Sequence, residues 1–194
     1  GVVHGPHEVK VGERTLHAAK ILVATGGRPR RPELPGAEHA AISDDFFELE
    51  TLPKRAVLIG GGYIGVEFTS ILTQLGVEVH LVHRHPELLN HFDADVATHF
   101  TEAFGVHPHV HLHLDRSAAS IAPGSVTLDD GTTIEADFIL FTAGRVPNIE
   151  GLFANGPAAL GIETKARDAL VADDTYQTAC PSIFPAGAVI DRTA

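Results

Sequence analysis

A glycine-rich turn between an apolar segment and an amphipathic segment constrains the fold of this chain more than any other feature. Residues 56–59 are apolar, and the sequence Gly-Gly-Gly-Tyr-Ile-Gly that follows them matches the pattern G-x-G-x-x-G at Gly60, Gly62 and Gly65. In such a turn the first glycine lets a strand lead directly into a helix, the second lets a pyrophosphate approach the backbone, and the third lets helix and strand pack closely. Free amides at the start of the helix then hold the phosphates. The turn therefore predicts a dinucleotide-binding βαβ unit.

The pattern around the turn alternates strands with helices. A helix is predicted over residues 63–75, with Gly76 as its C-cap, and a second helix begins at the capping residue Asp93 and ends near residue 104. The apolar face of the first helix is expected to comprise Ile64, Phe68, Ile71, Leu72 and Leu75. Strands are predicted at 56–59, 77–81, 110–114, 125–128, 133–134 and 138–142. The expected fold class is α/β: a Rossmann-type domain with a βαβ core and a β-hairpin or meander.

Composition shifts divide the chain into three sections. The first, residues 1–34, contains two predicted strands near 9–11 and 20–24 and ends in a segment rich in glycine and proline. Residues 35–143 form the predicted α/β domain. Residues 144–194 show little regular pattern before a strand-like segment near the end. We therefore expect one Rossmann-type domain flanked by segments of a second domain.

The residues after the second strand of the βαβ unit bear on the choice of nucleotide. An acidic side chain there accepts a hydrogen bond from the free 2′-hydroxyl of NAD, whereas an arginine accommodates the 2′-phosphate of NADP. This strand ends in His83, Arg84 and His85, without an acidic residue. Arg84 can pair with phosphate oxygens, and the two histidines can assist when protonated. Gly65 argues against NADP, because alanine is the commoner third residue there. The sequence favours NADPH and leaves NADH possible.

Charge, hydropathy and cysteine content exclude several classes of protein. The net charge of −11 argues against nucleic acid as a partner, because that polyanion requires clustered lysines and arginines. No apolar run approaches the about 20 residues of a membrane span. Cys180 is the only cysteine, so no disulfide forms within the 194 residues, and a reducing, cytoplasmic compartment is expected. The chain begins with Gly1 and contains no methionine, which predicts a fragment or a processed chain.

Four of the 13 histidines alternate with other residues along one segment. His107, His109, His111 and His113 would lie on one face of a strand, and histidines at this spacing can chelate Zn²⁺ or Ni²⁺. The segment supplies no carboxylate or cysteine to complete a ligand set. We therefore interpret it as the solvent-facing side of an amphipathic strand and assign no metal site, with metal binding as the lesser alternative.

Five segments in a fixed order resemble one known family. They are ILVATGGRPRRPELPGAE, SDDFFELETLPKRAVLIGGGYIGVEF, HRHPELLNHFD, TAGRVPN and IFPAGAVIDRTA. Together they resemble the flavoprotein pyridine nucleotide-disulfide oxidoreductases over essentially the whole chain, most closely the glutathione reductase branch. The resemblance implies that residues 1–34 are the C-terminal part of an FAD-binding domain and residues 35–143 the NAD(P)H-binding domain. Residues 144–194 would return to the FAD-binding or central domain.

The resemblance also implies roles for single residues on the nicotinamide side. The loop that binds the NADPH pyrophosphate matches Gly60, Gly62, Ile64 and Gly65. Tyr63 matches the aromatic gate that covers the flavin until nicotinamide displaces it, and Glu67 matches the carboxylate near the nicotinamide amide. Arg84 matches the first of two arginines for the 2′-phosphate, whereas the second falls at Asn90 here.

On the flavin side the resemblance is less complete. Gly144 and Arg145, in the G-R-x-P-N motif, are expected near the nicotinamide or the flavin, and the motifs with Gly26 and Gly187 belong to the FAD-binding side. The family places an aspartate after the second of these glycines, where it binds the flavin ribityl chain, but this chain has Ala188. FAD is therefore expected in the intact family rather than in this chain.

The family resemblance implies a reaction in which hydride passes from NADPH through FAD to a disulfide substrate. The redox cysteine pair, the acid–base histidine and most homodimer contacts correspond to segments that this sequence does not contain. The chain is therefore expected to be the nucleotide-binding part of a glutathione-reductase-like enzyme, inactive by itself. The alternatives are another family member (a mycothione or mercuric reductase, or dihydrolipoamide dehydrogenase) and a binding-only nucleotide module without turnover.

Overall fold

The computed structural model describes residues 1–190 and divides the chain into two compact units. One unit combines Gly1–Arg28 with the segment that begins at Arg145, and the other is Pro29–Gly144. The chain therefore leaves the first unit once, completes the second and returns. The assignment of sections 1–34, 35–143 and 144–194 to FAD- and NAD(P)H-binding domains stays a prediction.

Short strands make up the first part of the chain: β1 (Val2–Gly5), β2 (Glu8–Val11), β3 (Arg14–His17), β4 (Ile21–Val23) and β5 (Gly27–Pro29). The first three form an antiparallel sheet in the order β1-β2-β3. The strands expected near 9–11 and 20–24 are confirmed as β2 and β4. The sequence does not predict β3, because all four of its side chains are exposed and no apolar alternation marks it.

The elements of the second unit follow in chain order. They are β6 (Ala41–Ile42), α1 (Ser43–Phe46), β7 (Arg55–Ile59), α2 (Tyr63–Gln74), β8 (Glu78–His83), α3 (Ala94–Gly105), β9 (Val110–Leu114), β10 (Ala118–Ala122), β11 (Ser125–Leu128), β12 (Thr133–Glu135) and β13 (Phe138–Phe141). All six strands predicted for this domain are confirmed to within two residues, whereas β6 and β10 are additional. None of the described helices is long and apolar enough to cross a membrane.

Five strands of this unit form a parallel sheet in the order β6-β13-β7-β8-β9. α2 connects β7 to β8, and α3 connects β8 to β9, because adjacent parallel strands require a crossover connection. The remaining strands form the antiparallel meander β10-β11-β12. The predicted fold class, α/β with a βαβ core and a meander, is confirmed.

The two faces of the parallel sheet are buried against different layers. Side chains alternate along a strand, so β7 sends neighbouring residues to opposite faces. Ala56 and Leu58 share an apolar cluster with Leu72 of α2. Val57 lies in a second cluster, with Val126 of the meander. The sheet is therefore covered by helices on one face and by the meander on the other.

The buried face of α2 differs from the predicted one. Ile71 and Leu75 are 44% and 56% exposed, whereas Thr69 and Thr73 are buried. The two hydroxyls donate to carbonyl oxygens one turn earlier: Thr69 to Gly65 at 2.7 Å, and Thr73 to Thr69 at 2.9 Å. A threonine whose hydroxyl is satisfied inside the helix can be buried like an apolar residue. The prediction that Ile71 and Leu75 face the core is wrong.

Both predicted helix caps are confirmed. Gly76 follows α2 with a φ of +84°, in the left-handed region that favours glycine, and its N–H donates to the Thr73 carbonyl at 3.1 Å. Asp93 caps α3, where its Oδ1 accepts from the N–H groups of Asp95 at 3.1 Å and Val96 at 3.3 Å. These local signals therefore set the ends of both helices correctly.

The returning segment completes the first unit through β14 (Arg145–Pro147) and β15 (Ile183–Pro185). β14 pairs with β5, and β15 pairs in parallel with β4. The strand-like segment predicted near the end of the chain is confirmed as β15. The apolar cluster of this unit includes Val3, Ile162 and the buried Cys180, so this cysteine is a packed core residue.

The orientation of α2 is testable with two neighbouring substitutions. Leu72→Ala is expected to lower the free energy of unfolding by about 2–5 kcal/mol, because it leaves a cavity between α2 and the sheet. Ile71→Ala, the matched control, is expected to change it by less than about 1 kcal/mol. Urea denaturation followed by circular dichroism measures both values. Equal losses would show that Ile71 is as buried as its spacing predicts.

Candidate functional site

The turn between β7 and α2 is closed at three of its glycines and open at the fourth. A Cβ on Gly65 would lie 1.8 Å from the carbonyl oxygen of Gly60. Gly60 itself has a φ of +124°, and a Cβ there would lie 2.8 Å from the amide nitrogen of Ala143. Gly61 is enclosed by side chains, because a Cβ there would lie 2.6 Å from Cδ2 of Leu88 and 2.7 Å from Cγ of His83. At Gly62 a Cβ would meet nothing within 4 Å, so this position leaves the backbone accessible.

Hydrogen bonds from three neighbouring elements fix the turn. The N–H of Gly60 donates to the carbonyl of Val82 in β8 at 2.9 Å, and the hydroxyl of Thr142, which follows β13, donates to the carbonyl of Gly60 at 2.9 Å. The N–H of Leu89 donates to the carbonyl of Gly61 at 2.9 Å. Thr142 is not among the residues that the sequence predicts for this site. Its position at the carboxyl end of a buried parallel strand is the signal that identifies it.

His83 lies beneath the turn rather than on its surface. The side chain is buried, and its Nδ1 accepts a hydrogen bond from the N–H of Gly61 at 3.0 Å. Burial, together with the nearby His85, lowers the pKa of His83. A neutral imidazole that accepts from the backbone supports the turn. This position differs from the expected one, in which a protonated His83 contacts phosphate.

The first turn of α2 presents unpaired donors and two exposed side chains. Gly62 is the N-cap and offers no side-chain hydrogen bond, and no acidic residue occupies the first turn. The N–H groups at a helix start have no partner within the helix. Tyr63 and Glu67 lie one turn apart, and both are exposed, whereas Ile64 is half-buried against the core. The structure thus brings Tyr63 and Glu67 to the same surface.

Arg84 is exposed immediately after β8. Its Nε donates to Nε2 of His85 at 3.2 Å, and the backbone carbonyl of His85 accepts from the N–H of Asp115 at 3.2 Å. Arg116, the next residue of that segment, pairs with Asp130 at 2.7 Å. Within residues 1–190 no carboxylate forms an ion pair with Arg84. Its guanidinium therefore stays available to an anionic ligand.

These features lie together at the carboxyl edge of the parallel sheet and make it a candidate anion site. β7 and β8 are adjacent and parallel, so the turn after β7 and Arg84 after β8 lie at the same edge. Free amides at a helix start attract phosphate, and the accessible backbone at Gly62 permits its close approach. The residues of this unit therefore fit the pyrophosphate of a dinucleotide, with one exposed guanidinium for a further phosphate.

In the other unit, the two glycine motifs that are expected on the flavin side are neighbours. The Cβ of Ala188 lies 3.5 Å from the point where a Cβ on Gly27 would be. Gly26 and Gly187 have φ values of +68° and +73°. Arg145 donates from Nη2 to the carbonyl of Gly27, which anchors its guanidinium to β5. This cluster presents backbone groups and a methyl group where the family has a carboxylate.

The last predicted site residue, Gly144, lies at the boundary between the two units, and the last sequence motif lies at the end of the described residues. Gly144 ends the second unit; it is exposed, has a φ of +103°, and its carbonyl accepts from the N–H of Arg30 at 3.0 Å. The final motif continues through residues 191–194, which lie outside the described residues.

Known proteins are similar to nearly the whole of this chain. A family model described as pyridine nucleotide-disulphide oxidoreductase matches residues 1–194. The chain is 35% identical to the glutathione reductase of Nostoc sp., over 96% of this chain and 43% of that protein. It is 33% identical to the glutathione reductase of Schizosaccharomyces pombe, over 93% of this chain and 40% of that protein.

A solved structure extends the likeness to the fold. The HOCl-induced flavoprotein disulfide reductase RclA from Escherichia coli is similar with a TM-score of 0.87 and 26% identity. That match covers 99% of this chain and 45% of RclA. The chain therefore spans less than half the length of each of these relatives.

The buried imidazole under the turn predicts a pH dependence. The pKa of His83 in the folded protein lies below its ordinary value of 6.5. Its contribution to stability is therefore complete above pH 6.5 and is lost as the pH falls below that value, because the unfolded chain binds the proton first. His83→Asn keeps an acceptor for Gly61 but does not titrate. We expect this variant to lose less stability than the unsubstituted chain between about pH 7.5 and pH 5.5.

Unfolding free energies from urea denaturation at the two pH values measure this difference. His109→Asn is the control, because this histidine lies in an exposed turn. An identical pH dependence of the unsubstituted chain and His83→Asn would contradict the buried neutral imidazole.

Proposed function

The chain belongs to the pyridine nucleotide-disulphide oxidoreductase family, and from this premise we propose that its second unit, Pro29–Gly144, binds NADPH. The nucleotide-binding part would serve a glutathione-reductase-like flavoenzyme that passes hydride from NADPH through FAD to a disulfide substrate. The observation that carries the proposal is the contrast within the turn: Gly60, Gly61 and Gly65 are enclosed, whereas Gly62 is open at the start of α2. Only the open position lets a pyrophosphate reach the backbone amides.

NADPH is proposed rather than NADH because of the charges after β8. Arg84 is exposed and makes no ion pair within the described residues, and no acidic residue occupies positions 83–85 to accept from a ribose 2′-hydroxyl. A guanidinium can donate two hydrogen bonds to a phosphate. One arginine without a second at Asn90 supports a moderate preference, so NADH would still bind through the turn.

Tyr63 and Glu67 are proposed to act at the nicotinamide end. Tyr63 is 46% exposed at the first position of α2, next to the open glycine. A phenol ring at this place can swing over or away from a flat ring system, as the aromatic gate of the family requires. Glu67 lies one turn further along the same surface, where its carboxylate can accept from the nicotinamide amide.

The hydride step itself asks little acid–base chemistry of the protein, because positioning and electronics dominate such transfers. FAD, when bound in the intact family, would supply the redox chemistry between NADPH and a disulfide. In this chain Ala188 cannot supply the carboxylate that holds the ribityl chain, and the sequence contains one cysteine. We therefore propose that this chain binds and orients the nucleotide. For the whole enzyme we propose disulfide chemistry, a homodimer and a cytoplasmic location.

A second candidate function is nucleotide binding without turnover, and Ala188 is the observation that favours it. The two functions differ in an optical readout. A yellow protein that oxidises NADPH in the presence of an electron acceptor supports the flavoenzyme. A colourless protein that binds NADPH supports the binding-only module.

The role of Arg84 is tested by nucleotide affinity. Arg84→Ala is expected to weaken NADPH binding by about 10- to 100-fold, the value of a charge-assisted hydrogen bond, and to leave NADH binding nearly unchanged. Lys54→Ala is the matched control, because this cation precedes β7 at the opposite edge of the sheet. Isothermal titration calorimetry with both nucleotides gives the four affinities. Equal affinity of the unsubstituted chain for NADPH and NADH would contradict the proposal for Arg84.

The role of the open glycine is tested separately. Gly62→Ala is expected to weaken NADPH and NADH binding equally, because the methyl group occupies the path of the pyrophosphate. The free energy of unfolding should change by less than about 1 kcal/mol, because the backbone of Gly62 is extended and suits any residue. Calorimetry and urea denaturation on one preparation measure both. Unchanged binding of both nucleotides would exclude the turn as the pyrophosphate site.

A further inference from the structure

Two neighbouring strands of the parallel sheet carry a cluster of imidazoles and a carboxylate away from the nucleotide site. β8 and β9 are parallel, and His80 lies directly opposite His111 in the register. Glu78 and His80 on β8 point to the same face as His111 and His113 on β9, since side chains two apart share a face. β9 is an edge strand, so this corner of the sheet is only partly covered.

The ligand atoms of three of these residues lie close together. Oε1 of Glu78 is 3.3 Å from Nε2 of His80 and 3.5 Å from Nε2 of His111. One ligand atom from each residue lies within 4.8 Å of the others. Metal bonds of the length found for zinc, arranged tetrahedrally, place ligand atoms about 3.3–3.5 Å apart. Two of the three separations therefore already match, and the third is no longer than 4.8 Å.

The surrounding groups hold the ligands in place. Nδ1 of His80 lies 3.0 Å from Nε2 of His113, so the ring nitrogen of His80 that does not face Glu78 has its own partner. Arg55 donates to Oε2 of Glu78 at 3.3 Å, which leaves Oε1 directed at the histidines. The ring of His80 stacks on that of His111, with centroids 4.6 Å apart. Such outer partners are typical of histidine and carboxylate ligands in metal sites.

From this geometry we propose that Glu78, His80 and His111 bind a divalent transition-metal ion of the Zn²⁺ class, with His113 as a positioning residue. Two imidazoles and one carboxylate suit zinc and its neighbours rather than magnesium, which prefers oxygen ligands. The fourth coordination position faces solvent, because Glu78 and His111 are 37% and 45% exposed. The ion would link the edge strand β9 to β8 and uses none of the residues proposed for NADPH.

The pKa values of three groups in this cluster are displaced from their ordinary values. Burial, foremost, lowers the pKa of His80 and of His113, and neighbouring imidazoles lower them further. For Glu78, burial raises the pKa, but hydrogen bonds from Arg55 and His80 outweigh it and the pKa is lowered.

The other histidines of the segment do not share this arrangement. His107 and His109 precede β9 in a turn, and their rings lie 6.0 Å apart. The prediction that four imidazoles lie on one strand face is therefore wrong, because β9 begins only at Val110. The missing carboxylate comes from β8 instead, 33 residues before His111 in the sequence.

The test uses the full chain without a polyhistidine tag, treated with a chelator and then titrated with Zn²⁺ by isothermal calorimetry. We expect one saturable site per chain and no saturable binding of Mg²⁺. Glu78→Gln and His111→Ala should each weaken Zn²⁺ binding by at least about 10-fold, and His113→Ala should weaken it by about 10- to 100-fold. The control is the double variant His107→Gln with His109→Gln, which removes two histidines of the same segment and should bind Zn²⁺ normally.

Three results overturn the proposal: no saturable site, unchanged binding in both Glu78→Gln and His111→Ala, or an equal loss in the control variant. Thermal unfolding of every variant in the absence of metal shows whether it is folded. A second readout is the melting temperature with Zn²⁺, which should rise for the unsubstituted chain and the control and stay constant for Glu78→Gln. A rise of the same size in Glu78→Gln also overturns the proposal.

Discussion

The close approach of α2 to the end of β7 is the constraint on which the proposed nucleotide site depends. The carbonyl oxygen of Gly60 occupies the place where any side chain at position 65 would begin, so the helix can start here only with glycine at that position. The same contact fixes the direction of α2 and therefore aims its first amides. The accessible backbone at Gly62 could not hold a phosphate in one place without this fixed contact, because the amides of a mobile helix start have no constant direction.

The residues that hold the glycine turn in place are distant from it in the sequence. Thr142 directly follows β13, the strand on one side of β7, and Val82 and His83 belong to β8 on the other side. Each contributes a hydrogen bond to Gly60 or Gly61, and these backbone groups would otherwise be buried without partners. A neutral His83 suits this purpose, because the N–H of Gly61 requires an acceptor. The parallel sheet thus acts by collecting the carboxyl ends of its strands at one edge.

The sequence predicts the features that are determined by residues close together in the chain. It does not predict the features that depend on which strands pair and in which register. The glycine turn, the cap at Asp93 and the buried strands carry their signals within a few residues, and the structure has all of them. The exposed strand β3 carries no such signal. Thr69 is buried and Ile71 is exposed, contrary to their hydropathy, and the threonine hydroxyl can be buried because it donates a hydrogen bond inside the helix. The burial of His83 and the meeting of Glu78 with His111 depend on strand register, which no single segment reveals.

The side chains of β8 alternate between the two faces of the sheet, so this strand contributes to the glycine turn on one face and to the proposed metal site on the other. Its odd-numbered residues face the helices, so His83 reaches the underside of the glycine turn, whereas Glu78 and His80 point to the opposite face beside β9. The meander covers that face at Val82, but His111 and Glu78 remain partly exposed. β9 has a neighbour on one side only, and such an edge is held by fewer hydrogen bonds than an inner strand. A cross-strand link between Glu78 and His111 would therefore stabilise the sheet where its backbone pairing is weakest, without altering the edge that is proposed to receive the nucleotide.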